Sequence, residues 1–206
     1  ILDTEGPEFR TWQEIYRAHG AELTLATYAV AIGTLNAFDA FAELERQLGR
    51  PIDRDALRRT RRQRNDELLA GEPIRPGVED YLRDATALGL KLGVASSSPR
   101  WWVAGHLDRL GLISRFDCLK SADDVAVVKP EPELYLSALR ALGVWPDQAI
   151  ALEDSPNGIL AAKRAGLYCV AVPNDLTKQL PLDRADLRLD SLADLSLARL
   201  LATVSK

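Results

Sequence analysis

Methionine is absent from this 206-residue chain, cysteine and histidine occur only twice each, and aromatic residues make up 6% of it. Two cysteines are too few for the disulfide framework of a small secreted domain. Cys118 and Cys169 sit in apparent strands, 116–119 and 167–170, and read as buried free thiols in a reducing compartment. His19 and His106 stand alone on helical stretches and are read as structural, which leaves no histidine-based metal centre. No apolar run reaches the roughly 20 residues of a bilayer span, and no signal-peptide pattern is visible, so a cytoplasmic protein is expected. Lys and Arg number 26 against 30 Asp and Glu, a net charge of −4. That balance gives no basis for binding nucleic acid or an anionic membrane. Internal repeats and low-complexity tracts are lacking as well. With no methionine and Ile1 in first place, the natural start is expected upstream.

What remains is ordinary for a soluble globular protein, 47% hydrophobic and 27% charged. The first third reads as helices only. Apolar residues recur at helical spacing through Phe9, Trp12, Ile15 and Tyr16, then over 25–32, then at Phe38, Phe41, Leu44 and Leu48. Asp53 is placed to cap a fourth helix reaching residue 70. Its arginines, among them Arg54, Arg58, Arg61 and Arg64, are interleaved with Asp55, Asp66 and Glu67, the pattern of a solvated helix surface. Two prolines and two glycines over 71–77 mark a linker. Beyond it strands and helices alternate, with strands at 91–95, 116–119, 148–152, 167–172 and 186–189. Such alternation with short loops implies a parallel sheet covered on both faces. The fold class is therefore α/β, a Rossmann-like parallel sheet core with an inserted all-helical cap. The core is assigned to 1–5 and 74–206 and the cap to 6–73.

Three stretches carry chemistry. The run 149–152 is a buried strand that delivers two adjacent carboxylates, Glu153 and Asp154. Ser155 and Pro156 follow as N-cap and first helical residue, and Gly166 suits the helix stop. Hard oxygen ligands at the carboxyl end of a strand suit Mg²⁺. Strand 91–95 delivers Ser96, Ser97 and Ser98, with Ser98-Pro99 read as the next helix start and a cradle for phosphate. The loop at Lys129, stiffened by Pro130 and Pro132, offers an ammonium for a phosphoryl oxygen. Each stretch alone is unremarkable. Together, at one rim of one sheet, they suit phosphoryl transfer.

Here the sequence resembles the haloacid dehalogenase superfamily, in its β-phosphoglucomutase-like branch with a helical cap. Ser96 matches the second motif. The phrase Lys129-Pro130-x-Pro132-Glu133-x-Tyr135 matches the third, and Glu153-Asp154-Ser155-x-x-Gly158 the fourth. The opening Ile1-Leu-Asp-Thr-Glu5 looks like the end of the first motif, Asp-x-Asp-Gly-hydrophobic-hydrophobic-x-Asp-Thr-Glu. The resemblance implies a nucleophilic aspartate and an acid/base aspartate just upstream of Ile1, on a central strand between those ending at Ser96 and Asp154. It further implies Mg²⁺ on Asp154 and, through water, Glu153; Ser96, Ser97, Ser98 and Lys129 around the phosphoryl group; and Arg64 and Asn65 in the cap near the substrate. In the mutase pattern a histidine follows Asp-Thr, and Glu8 stands there. The mutase's cap arginine falls at Asn36. A phosphatase of small phosphorylated metabolites is therefore expected ahead of a phosphosugar mutase. A catalytically inactive binding or regulatory relative is the alternative of another class. The 2-haloacid dehalogenase branch needs no metal-binding acid pair and fits less well.

Overall fold

The computed structural model of the protein describes residues 1–34 and 37–204. The chain divides into two compact units, Ile1–Ile32 with Asn36–Pro73, and Gly33–Leu35 with Ile74–Lys206. No helix among the described residues is long and apolar enough to cross a membrane.

The first unit is helical: α1 (Glu5–Ala18), the short α2 (Leu25–Tyr28), α3 (Ala40–Leu48) and α4 (Arg54–Ala70). Carboxylates fix two of the starts. Asp39 accepts from the N–H groups of Phe41 and Ala42, so α3 begins at Ala40, two residues after the apolar period starts at Phe38, and Asp53 accepts from Ala56 N–H. The core is aromatic. Phe9 meets Tyr28 at 5.1 Å between ring centroids, and Trp12 meets Phe41 at 4.8 Å. The buried Tyr16 hydroxyl donates to the Ala40 carbonyl. Residues 1–5 belong to this unit rather than to the α/β core expected for them.

The second unit alternates α5 (Val78–Ala87), β1 (Gly93–Ala95), α6 (Arg100–Arg109), β2 (Cys118–Lys120), α7 (Glu133–Leu142), β3 (Ile150–Glu153), α8 (Pro156–Arg164), β4 (Tyr168–Ala171), β5 (Leu187–Arg188) and α9 (Leu197–Val204). Every pairing is parallel. Strand β4 shows how the core is built. Val170 and Val172 pack with α5, α6 and α9, while Cys169 and Ala171 pack with α7 and α8. Period-two alternation thus feeds two helical layers, and both faces of the strand are apolar because both are covered. On α8, Ala161, Ala162 and Ala165 are small enough to bring the helix close to the sheet. Both cysteines are free, Cys169 buried and Cys118 half-buried.

The sheet is interrupted between the strands that lead to Ser96 and Asp154, where the resemblance implies a further central strand. Its described residues form two pieces, β1–β2 and β3–β4–β5. One edge of β1 and one edge of β3 are unpaired among the described residues. Leu152, in the middle of β3, is 43% exposed between the buried Ala151 and Glu153.

Candidate active site

The carboxyl ends of β1 and β3 are joined by one side chain. Lys129 Nζ donates to the Ala95 carbonyl, at the end of β1, at 2.9 Å. It also donates to Glu153 Oε1, at the end of β3. Lys129 is 7% exposed and Glu153 6%, so this is a buried ion pair. An ammonium has three N–H donors, and two are used here. Tyr135, in the first turn of α7, donates its hydroxyl to the same Glu153 Oε1. Its ring lies 5.1 Å from Lys129 Nζ. The other carboxylate oxygen accepts from Ser155 Oγ at 3.4 Å and from Asp154 N–H at 3.3 Å. Glu153 therefore turns into the protein, toward the side that Ala151 faces, and leaves Asp154 as the carboxylate of the pair not engaged by Lys129.

Asp154 is half-buried, and its carboxyl is pushed up from the usual range by burial first and by the adjacent Glu153 charge second. Ser155 caps α8, its oxygen accepting from Gly158 N–H at 3.0 Å, with Pro156 in the first turn. Gly158 is required to be glycine: a Cβ there would stand 1.9 Å from Glu153 Oε2. No three of His, Cys, Asp and Glu converge as a metal cage among the described residues.

The serines divide their work. Ser96 N–H donates to Lys120 O and fastens the loop to β2. Ser96 Oγ accepts from Ser98 N–H at 3.1 Å. Ser97 is buried, and its hydroxyl donates to the Gly33 carbonyl at 3.2 Å. The expected Ser98 cap is not formed: α6 starts at Arg100 behind Pro99, and the Arg100 N–H donates to Asp123 Oδ2 at 2.8 Å. Ser98 instead accepts, at its carbonyl, from Ala122 N–H.

Two residues near this site were not singled out from sequence. The first is Gly33. In the structure it has φ +78, and a Cβ would lie 2.1 Å from Ser155 Oγ. Thr34 donates its hydroxyl to the Lys129 carbonyl. These bonds explain why 33–35 belong with the α/β unit although the chain around them is helical cap. Tyr135 was quoted within its motif but given no role.

In the helical unit, Arg64 donates to Glu14 at 3.1 Å and to Glu67 at 3.3 Å, while Asn65 is buried on α4. Arg61 pairs with Glu8 at 3.1 Å and lies 4.6 Å from the Trp12 ring centroid. Arg54 pairs with Glu45 and Asp39, and Arg58 with Asp55. The arginine-rich helix is thus a laced ion-pair surface. Asn36 lies outside the described residues.

A model of the family described as haloacid dehalogenase-like hydrolase matches residues 1–166. YhcW of Bacillus subtilis (strain 168), a candidate phosphatase by its name, is 48% identical over 201 residues, covering 98% of this chain and 91% of the relative. Hexitol phosphatase B of Escherichia coli (strain K12) is 37% identical over 130 residues, 63% of this chain and 59% of that one. The crystal structure of CbbY from Rhodobacter sphaeroides in complex with phosphate superposes with a TM-score of 0.77 at 33% identity, covering 97% of this chain and 94% of that one. A mutant of the same protein, solved with xylulose-(1,5)bisphosphate, superposes with a TM-score of 0.76 at 32% identity, again covering 97% and 94%.

Proposed function

The chain belongs to the haloacid dehalogenase-like hydrolases, and on that premise we propose that it is a Mg²⁺-dependent phosphatase of small phosphorylated metabolites, sugar or polyol phosphates foremost. One observation carries the reading: a buried lysine whose ammonium is tied to the ends of two strands and keeps one N–H to spare, beside Ser96 and Asp154. Those groups match the needs of a phosphoryl group: a hydroxyl donor, a fixed cation and a carboxylate.

In this reading Ser96 Oγ and Lys129 hold phosphoryl oxygens, and Lys129 offsets the charge that develops on them. Ser97 and Ser98 shape the loop. Asp154 is the residue that would hold Mg²⁺, which supplies charge neutralisation at the same oxygens. The fit is physical. A half-buried carboxyl crowded by a second carboxylate is relieved by a divalent cation, and Mg²⁺ takes one or two protein carboxylates, with phosphate and water completing its shell. Glu153 acts one step back, fixing Lys129 and the backbone of Asp154.

The nucleophile is assigned to an aspartate on a strand seated between β1 and β3, with the acid/base aspartate two residues on. The open edges of both strands and the exposed Leu152 support that placement. The phosphoryl group passes from the ester oxygen to the first carboxylate, and water then releases it as orthophosphate. The phosphatases and the sugar-bisphosphate complex among the relatives support the substrate class. A mutase needs a cationic clamp for a second phosphate. Arg64, its candidate, spends its guanidinium on Glu14 and Glu67, and Glu8 puts a carboxylate where the mutase pattern has histidine.

The test is turnover of an aryl phosphate and a panel of sugar phosphates by the full-length gene product with Mg²⁺. Asp154→Ala should abolish it. Unchanged turnover would overturn the metal assignment, and none in the unmodified product would favour an inactive binding relative.

A further inference from the structure

The Lys129 ammonium is held by more than its ion partner. Glu153 Oε1 accepts from two donors, Lys129 Nζ and the Tyr135 hydroxyl. The Tyr135 ring lies 5.1 Å from the same Nζ, within cation–π range. Tyr135 is 9% exposed and starts α7, so its backbone is anchored by a helix that packs on both β1 and β2. The far side of the carboxylate is closed by Ser155 Oγ, Asp154 N–H and the bare Cα of Gly158. Glu153 consequently has one placement, and the tyrosine hydroxyl defines it on the side where the lysine arrives.

We propose that Tyr135 is a positioning residue for Lys129: by sharing Glu153 Oε1 it holds that oxygen from a second side and so fixes the direction of the ammonium bonded to it, with one N–H kept for the phosphoryl site. This rests on the phosphatase reading above. Without the hydroxyl, Oε1 has Lys129 as its remaining donor. Held on that side by the lysine alone, the carboxylate end and the ammonium bonded to it can swing together as a pair, since their attraction in a low-dielectric surround keeps them joined. The ammonium then turns away from the substrate while the ion pair itself survives. The phenol serves as a donor throughout the working pH range, since burial and the Glu153 charge hold it protonated. The loss should therefore fall on the rate, where charge on the phosphoryl oxygens is greatest, and spare substrate binding.

Tyr135→Phe keeps the ring and removes only the hydroxyl. In the full-length product with Mg²⁺ and a sugar phosphate, kcat should fall about tenfold, less than the roughly 10²–10³ that removing a donor in direct contact with the reacting group costs, with KM within about twofold. A second arm measures unfolding of Tyr135→Phe, Lys129→Met and the double variant. The two substitutions should be non-additive by about fivefold or more in the unfolding equilibrium constant, as for residues sharing one acceptor. An active wild type whose kcat is unmoved by Tyr135→Phe overturns the positioning role. Additive substitutions overturn the shared-acceptor geometry. A wild type that cleaves no phosphate ester removes the phosphatase reading and the positioning role that rests on it, while coupling that persists in the second arm leaves the shared-acceptor geometry standing.

Discussion

Gly158→Ala sets two effects of opposite sign against each other. Gly158 is in the first turn of α8, where alanine is the better helix former by about 1 kcal/mol. Helix propensity alone therefore predicts a more stable protein. The structure predicts the reverse. The new Cβ would stand 1.9 Å from Glu153 Oε2 and 2.2 Å from its Cδ. Reaching ordinary contact, 3.4 Å from Oε2, means a retreat of about 1.5 Å. A glutamate end can normally swing aside cheaply, but this one is pinned by Lys129 and Tyr135 in a dry interior. Moving it leaves buried donors without their acceptor. Breaking a buried ion pair costs about 3–5 kcal/mol. Net of the helix gain, the variant should be about 2–4 kcal/mol less stable, which lowers Tm by about 4–16 °C in a chain of this size. Differential scanning calorimetry reads this directly. A Tm equal to or above wild type would show that Glu153 is not locked as described.

Gly33→Ala should destabilise through two terms, about 1–2 kcal/mol for a side chain at φ +78 and about 1–3 kcal/mol for crowding Ser155. An unchanged urea midpoint would contradict the placement of 33–34 against Ser97 and Ser155. Burial, and behind it the Glu153 and Asp186 charges, pushes the Cys169 thiol up to about 12. At pH 8 about one molecule in ten thousand then carries the thiolate. Iodoacetamide should label Cys169 only after denaturation, read by mass spectrometry, and ready labelling of the native protein would refute the assignment.

Much of the α/β unit was legible because its signals are local. Ser155 and Pro156 start α8 and Gly166 ends it, since capping needs only neighbours a few residues apart. The convergence of Lys129 with β1 and β3 was readable as a constellation, through the spacing of motifs along alternating elements. The direction of Glu153 was available in principle: two residues after the buried Ala151 on one strand, it faces the same helical layer. It was read instead as the outward twin of Asp154, because adjacent acids suggest a pair. Gly33 and Thr34 were invisible, because their partners, Ser97, Ser155 and Lys129, are remote in sequence. The same holds for Arg64, whose surface pairing with Glu14 on another helix no spacing rule supplies. The break between β1 and β3 falls where the family resemblance implies a further central strand; it was legible through that resemblance and through no local signal, because strand order is a property of the whole sheet.

The account stands on Ser96, Lys129 and Asp154 forming one phosphoryl site. Crystals of the full-length product grown with Mg²⁺ and orthovanadate test it most directly. The oxyanion should sit within hydrogen-bond distance of Ser96 Oγ and Lys129 Nζ, with the cation on Asp154 and Tyr135 still donating to Glu153. Vanadate bound elsewhere, with Lys129 still enclosed and no cation at Asp154, would contradict it.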